Sequence, residues 1–172
     1  MKEKCCAILG AAPNCFPWGY DEEDERCGAL KIVLLNMVNC CRAEGFTAFA
    51  VALDAGVGLY AAELIGGLRE EAPELSLTCF VPWEEQATKW PPELRERYFN
   101  VLAACSEAET VSAPWTASCE VEAKLQAIDS AERVFAVTAE EEDALLALAL
   151  HYARRTEKNI LIFDAEKNIF YN

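Results

Sequence analysis

The chain has 172 residues, just over half of them apolar and about a quarter charged, which excludes a disordered or low-complexity polypeptide and suits one domain with its own core. Its 29 acidic and 15 basic residues give a formal net charge of −14, a surface that repels phosphate backbones, so no nucleic-acid partner is expected. No apolar run approaches the roughly 20 residues that span a bilayer, and Cys5-Cys6-Ala7-Ile8-Leu9 is too short for a secretory signal, so neither membrane nor leader is expected.

Apolar periodicity alternates strand and helix along the chain. Residues 5–9 read as a buried strand ending at Gly10, and a loop rich in Pro, Gly and aromatics follows to about Tyr20. Acids at 21–24 suit a helix start, and Leu30, Val33, Leu34, Met37, Val38 and Cys41 recur at helical spacing up to Gly45. Residues 46–53 are β-prone, and a helix over 59–71 follows Gly56-Val57-Gly58. A third strand over 75–81 is stopped by Pro82. A helix then runs from Pro91-Pro92 to about Cys105, because Pro fits the first helical turn.

The remaining elements are a short strand at 109–112, a helix at 117–130, a strand at 133–137, a helix at 140–156 and a strand at 159–164, with a small edge strand at 168–171. Such alternation with short loops predicts right-handed crossovers and an α/β class: a single three-layer, Rossmann-like domain over 1–172, with a mainly parallel sheet and helices on both faces. In such sheets a ligand sits beyond the carboxyl ends of the strands, at a switch point. The loops 10–20, 53–60, 81–90, 112–118 and 138–143 are therefore the places to look for function.

Nine cysteines, an odd number mostly inside apolar patterns, read as reduced thiols in a cytoplasmic protein rather than a disulfide framework. With no Cys-x-x-Cys and His151 the only histidine, no metal and no cofactor are expected. His151 lies in an apolar helix with no nucleophile signature near it, which argues against catalysis. Asp164 is a strand-end carboxylate.

Several segments carry a resemblance. They are Phe16-Pro17-Trp18-Gly19-Tyr20-Asp21-Glu22-Glu23-Asp24, Leu59-Tyr60-Ala61-Ala62-Glu63, and Leu77-Thr78-Cys79-Phe80-Val81-Pro82-Trp83-Glu84-Glu85-Gln86-Ala87, continuing to Trp90-Pro91 and Arg95-Glu96-Arg97-Tyr98. From about Cys5 to Val137 the chain resembles the YpsA-like group of the SLOG superfamily, Rossmann-like proteins related to DprA and to LOG-type cytokinin-activating enzymes. The resemblance implies a cleft for a nucleotide or nucleotide-derived ligand.

Against that pattern the polar cleft residues are depleted. Where the group carries Thr-Gly-His-Arg-Pro, this chain has Leu9-Gly10-Ala11-Ala12-Pro13. Where the group has Gly-x-Ala-x-Gly-Val-Asp, it has Ala52-Leu53-Asp54-Ala55-Gly56-Val57-Gly58, and an Arg-Asn pair is replaced by Ala123 and Lys124. A Gly-Gly-Thr turn becomes Thr138-Ala139-Glu140-Glu141-Glu142-Asp143. Thr138 with Glu141 three residues on is a capping-box pattern that would use up the donors of the next helix and repel phosphate.

The residues expected to line a ligand are Gly10, Ala11, Trp18, Gly56, Val57, Gly58, Trp83 and Thr138. Gly56-Val57-Gly58 is half of a dinucleotide fingerprint, or equally a tight strand-to-helix turn. Trp18 and Trp83 are either a ligand wall or packing anchors for their loops. No catalytic residue is expected; Asp54 and Glu63 are the weak candidates for an acid–base pair, with capping or surface roles as the alternative.

Three functions are thus open. One is a binding protein in a sensing or regulatory role, without catalysis. Another is an enzyme cleaving N-glycosidic or phosphoribosyl bonds. The last is a protein-interaction module, which predicts an exposed apolar patch around Phe16, Trp18 and Trp83. Pairing into a homo-oligomer through helices or edge strands is compatible with each.

Overall fold

The computed structural model describes residues 2–172. Seven strands form one sheet: β1 (Lys4–Gly10), β2 (Phe46–Ala52), β3 (Ser76–Trp83), β4 (Glu107–Ser112), β5 (Arg133–Thr138), β6 (Asn159–Asp164) and β7 (Ile169–Tyr171). Their spatial order is β4-β3-β2-β1-β5-β6-β7, and every neighbouring pair is parallel except β6 with β7. The three-layer, Rossmann-like α/β class expected from the alternation is what the chain adopts.

The order dictates where the helices lie. The chain steps outward from β1 through β2 and β3 to β4, so right-handed crossovers put α1 (Glu25–Ala43), α2 (Val57–Glu71) and α3 (Pro92–Ala104) on one face. It then returns to the far side of β1, which sends α4 (Cys119–Asp129) and α5 (Ala144–Arg155) to the other. The reversal falls between β1 and β5, whose registers pair Ile8 with Phe135 and Gly10 with Val137. A crevice is expected beyond the carboxyl ends of these two strands.

Covering both faces is why the central strands read as continuous apolar runs. Cys6, Ala7, Ile8 and Leu9 are buried, as are Val134 to Val137 beside them. Large buried side chains such as Phe49, Leu59, Ile65 and Phe135 each contribute roughly 1.5–3 kcal/mol of hydrophobic free energy. None of the helices described is long and apolar enough to cross a membrane.

Several boundaries differ from the sequence expectation, and for three of them the physical reason is plain. β3 continues through Pro82 to Trp83. The Phe80 carbonyl accepts from Leu53 N–H, so even-numbered residues turn their backbone toward β2, which has ended at Ala52; the donor missing at Pro82 therefore has no ladder partner to lose. β4 begins at Glu107, two residues early, because it is an exposed edge strand carrying Glu107 and Glu109 rather than an apolar run.

The third difference bears on the site. The Thr138–Glu141 capping box does not form: α5 begins only at Ala144, and Asp143 is its N-cap, accepting from Leu145 and Leu146 N–H at 2.9 and 3.0 Å. An aspartate caps as well as a threonine, and nearer the apolar periodic run it takes the role.

Candidate functional site

A cleft of about 200 Å³ opens at the β1/β5 switch point. It is lined by the loops after β1, β2 and β3 (Ala12 and Pro13, Leu53 to Ala55, Trp83 and Gln86), and by Glu120, Lys124 and Asp143 from the starts of α4 and α5. Tyr20, Ala55 and Trp90 are shared with an outer compartment of about 460 Å³ that runs past Pro91 to Glu22 and Arg97.

Two carboxylates shape its floor. Asp54 Oδ1 accepts from Gly56 and Gly58 N–H at 2.9 and 3.0 Å, closing the N-terminus of α2. Burial pushes the Asp54 carboxyl above its ordinary value, against the opposing pull of Lys124 and the two glycine amides. Asp143 does more than cap α5: its Oδ2 also accepts from Ala12 N–H at 2.7 Å, tying the first loop to the last helix. The helix N-termini that an anion would seek are both occupied by the chain's own carboxylates.

The glycines serve packing at this turn. A Cβ on Gly10 would stand 2.3 Å from Val57 Cβ, and one on Gly58 would stand 2.2 Å from the Ala52 carbonyl oxygen. Gly10 and Gly58 therefore let α2 close down on β1 and β2. Val57 is wholly buried in that contact, and Ala11, also buried, donates its N–H to the Val137 carbonyl.

Two long polar side chains are sunk in the cleft wall. Gln86, 8% exposed, donates from Nε2 to the Leu53 carbonyl at 2.8 Å, which fixes its amide so that Oε1 is the remaining atom. That Oε1 is buried and has no hydrogen-bond partner among the described residues. Lys124, also 8% exposed, makes no hydrogen bond or ion pair among the described residues and faces Asp54 electrostatically.

Of the residues expected to line a ligand, Trp83 borders this cleft, while Gly56, Val57 and Gly58 lie in the turn beneath it. Trp18 is buried and stacked on Phe16, with ring centroids 4.8 Å apart, and borders a different groove alongside Phe163. Phe16 and Trp18 therefore form no exposed apolar patch with Trp83. Thr138 and Ala11 line a shallow depression with Glu140 to Asp143 and Asp164, and the Thr138 hydroxyl is 3.4 Å from that of Tyr171.

Asp54 and Glu63 are not brought together. Glu63 lies along α2 and binds Arg97 of α3, with Oε1 at 2.7 Å from one guanidinium nitrogen. Arg97 in turn reaches Glu22 at 2.6 Å, and Lys31 reaches Glu22 at 2.7 Å. This network clamps the loop after β1 to α1, α2 and α3. Asp164 accepts from Glu166 and Lys167 N–H and shapes the turn into β7, and His151 is exposed on α5.

Comparison with known proteins places this geometry in a family: the YpsA model, described as the YspA SLOG family, matches residues 16–167. The chain belongs to that family. It is 30% identical over 125 residues to the UPF0398 protein YpsA of Bacillus subtilis, covering 72% of this chain and 68% of that protein. It is 31% identical over 110 residues to a UPF0398 protein of Bacillus licheniformis, covering 63% of this chain and 59% of the relative. A third match, a UPF0398 protein of Oceanobacillus iheyensis, is 33% identical over 79 residues, covering 46% and 42%.

Within this SLOG chain, sequence reasoning missed Asp143 and Gln86 as site residues. Both stood in segments already singled out: Asp143 closes the acidic turn after β5, and Gln86 ends the run Trp83-Glu84-Glu85-Gln86. A Gln four residues beyond Pro82, in a turn rather than a regular element, was the available signal, since buried amides in irregular loops must find partners.

Proposed function

We propose that this SLOG protein binds a nucleotide-derived small ligand in the β1/β5 switch-point cleft, in a sensing or regulatory role without catalysis. One observation carries the reading. Lys124, 8% exposed and without a hydrogen bond or ion pair among the described residues, lines the cleft where ligands of this fold class bind. A buried charge without a partner is costly, and an acidic group of a ligand would relieve it.

The non-catalytic part rests on how the titratable groups are used. Glu63 is committed to Arg97, and Asp54 to two backbone amides of α2. Neither is aimed with the other at a common reacting atom, as acid–base chemistry needs. Nine cysteines carried as free thiols support a reducing, cytoplasmic setting.

A thermal-shift screen against nucleosides, nucleotides, ADP-ribose and NAD tests the reading. A ligand binding only the folded state adds about 2.7 kcal/mol at a hundredfold excess over Kd. A clear rise in Tm with one of these, lost in Gly56→Trp, is expected. Flat curves throughout at millimolar ligand would overturn it.

A further inference from the structure

We infer that this cleft takes a ligand with one acidic group and one flat ring, the acid seated inward on Lys124 of α4 and the ring outward against Tyr20 and Trp90. The inference rests on the binding role proposed above and names what each end of the ligand touches. An acidic group at a switch point has two kinds of seat, a helix N-terminus or a cation. At the N-termini of α2 and α5 stand the carboxylates of Asp54 and Asp143, which accept from Gly58 N–H and from Leu145 and Leu146 N–H. Their negative charge offsets the positive ends of both helices. The cation lies on α4 instead.

Lys124 is the one cation among the described residues that line the inner compartment. An ammonium is almost never buried to 8% exposure without a partner. Asp54, which it faces electrostatically, is held by two backbone amides of α2 rather than by this ammonium. The buried charge is thus left for an acidic group of a ligand. One cation also means one such group. The carboxylates of Asp54, Glu120 and Asp143 line the same space, so a second phosphate would meet like charge and no further cation there.

The ring belongs outside. The inner compartment, about 200 Å³, is smaller than the roughly 300–1,000 Å³ of a complete ligand site, but it shares Tyr20, Ala55 and Trp90 with the outer one of about 460 Å³. Tyr20 is 64% exposed and Trp90 half-buried, so two aromatic side chains border the passage between the compartments, where a base can stack on them. The outer charges balance, Glu22 and Glu93 against Lys89 and Arg97, and Arg97 is spent on Glu22 and Glu63. Such a wall suits a neutral ring better than a second charged group.

Isothermal titration at fixed ionic strength tests this with adenosine, guanosine, cytidine and uridine, and with their 5′-carboxylates, 5′-monophosphates and 5′-diphosphates. For at least one base, the carboxylate or the monophosphate should bind about tenfold or more tightly than the neutral nucleoside, and which of them does so identifies the acid. The diphosphate should bind no more tightly than the monophosphate. Lys124→Met removes an unpaired buried charge, so it should fold, and it should abolish the gap between acid and nucleoside. Tyr20→Ala, at an exposed residue, should weaken both about tenfold and leave the gap unchanged. No gap in the parent protein, a gap that survives Lys124→Met, a diphosphate bound more tightly than the monophosphate, or undiminished binding in Tyr20→Ala would overturn the inference and leave the binding role standing. Binding of none of these compounds would overturn both.

Discussion

The Asp143 carboxylate accepts a 2.7 Å hydrogen bond from the backbone N–H of Ala12, joining residues 131 apart in the chain. The same carboxylate caps α5. One side chain thus fixes the loop after β1 against the helix after β5, the two sides of the switch point.

Asp143→Ala removes both the cap and the bridge. Loss of a good N-cap alone costs about 0.5–2 kcal/mol, and the freed Ala12 N–H adds to that. Urea denaturation should place the variant toward the upper end of this range, while Asp143→Asn, which still caps, should lose less. Equal stability of Asp143→Ala and the parent protein would mean that the bridge is not maintained in solution.

The Glu22–Arg97–Glu63 network predicts a pH signature. Burial pushes Glu22 up, but hydrogen bonds from Arg97 and Lys31 outweigh it and hold the carboxyl below its ordinary value of 4.5. A group depressed in the folded state contributes stability above its unfolded pKa and loses it as pH falls through the folded one. Arg97→Met should therefore be destabilised at pH 7, and the difference in Tm from the parent should shrink as pH drops from 5 toward 3. A difference that stays constant over that window would show that Glu22 is not held by Arg97.

Glycine substitutions separate packing from helix propensity. Gly10→Ala puts a methyl 2.3 Å from Val57 Cβ, between two buried backbones, and overpacking of this kind costs about 1–3 kcal/mol. Gly28→Ala, inside α1 with nothing within 4 Å of the new methyl, should instead stabilise by about 0.5–1 kcal/mol. Thermal denaturation of the two variants should move in opposite directions.

Much of the fold was legible because it rests on period. The apolar runs at β1, β2, β5 and β6 and the helical spacing of Leu30, Leu34, Val38 and Cys41 reflect burial directly: those four helical residues and most of the strand residues are buried. Polar β4 was shortened because an exposed edge strand leaves little apolar signal. The start of α5 was misread because the turn after β5 holds several residues able to cap, and which one caps depends on the distant Ala12 N–H. The site was less legible for the same reason. Gln86 matters through a Leu53 carbonyl 33 residues away and through a partner it lacks, and neither leaves a trace in local spacing. Trp18 and Trp83 are alike in sequence context, and only the stacking of Trp18 on Phe16 separates packing anchor from cleft wall.

The most direct test of the central claim is a titration of the tryptophan fluorescence, to which Trp83 and Trp90 of the cleft contribute, with each nucleoside and nucleotide in turn added to the parent protein and to Lys124→Met. A saturable change with at least one of these in the parent, shifted about tenfold to higher concentration in the variant, is the expected result. No saturable change up to millimolar ligand, or the same Kd in both proteins, would contradict a ligand held in this cleft by Lys124.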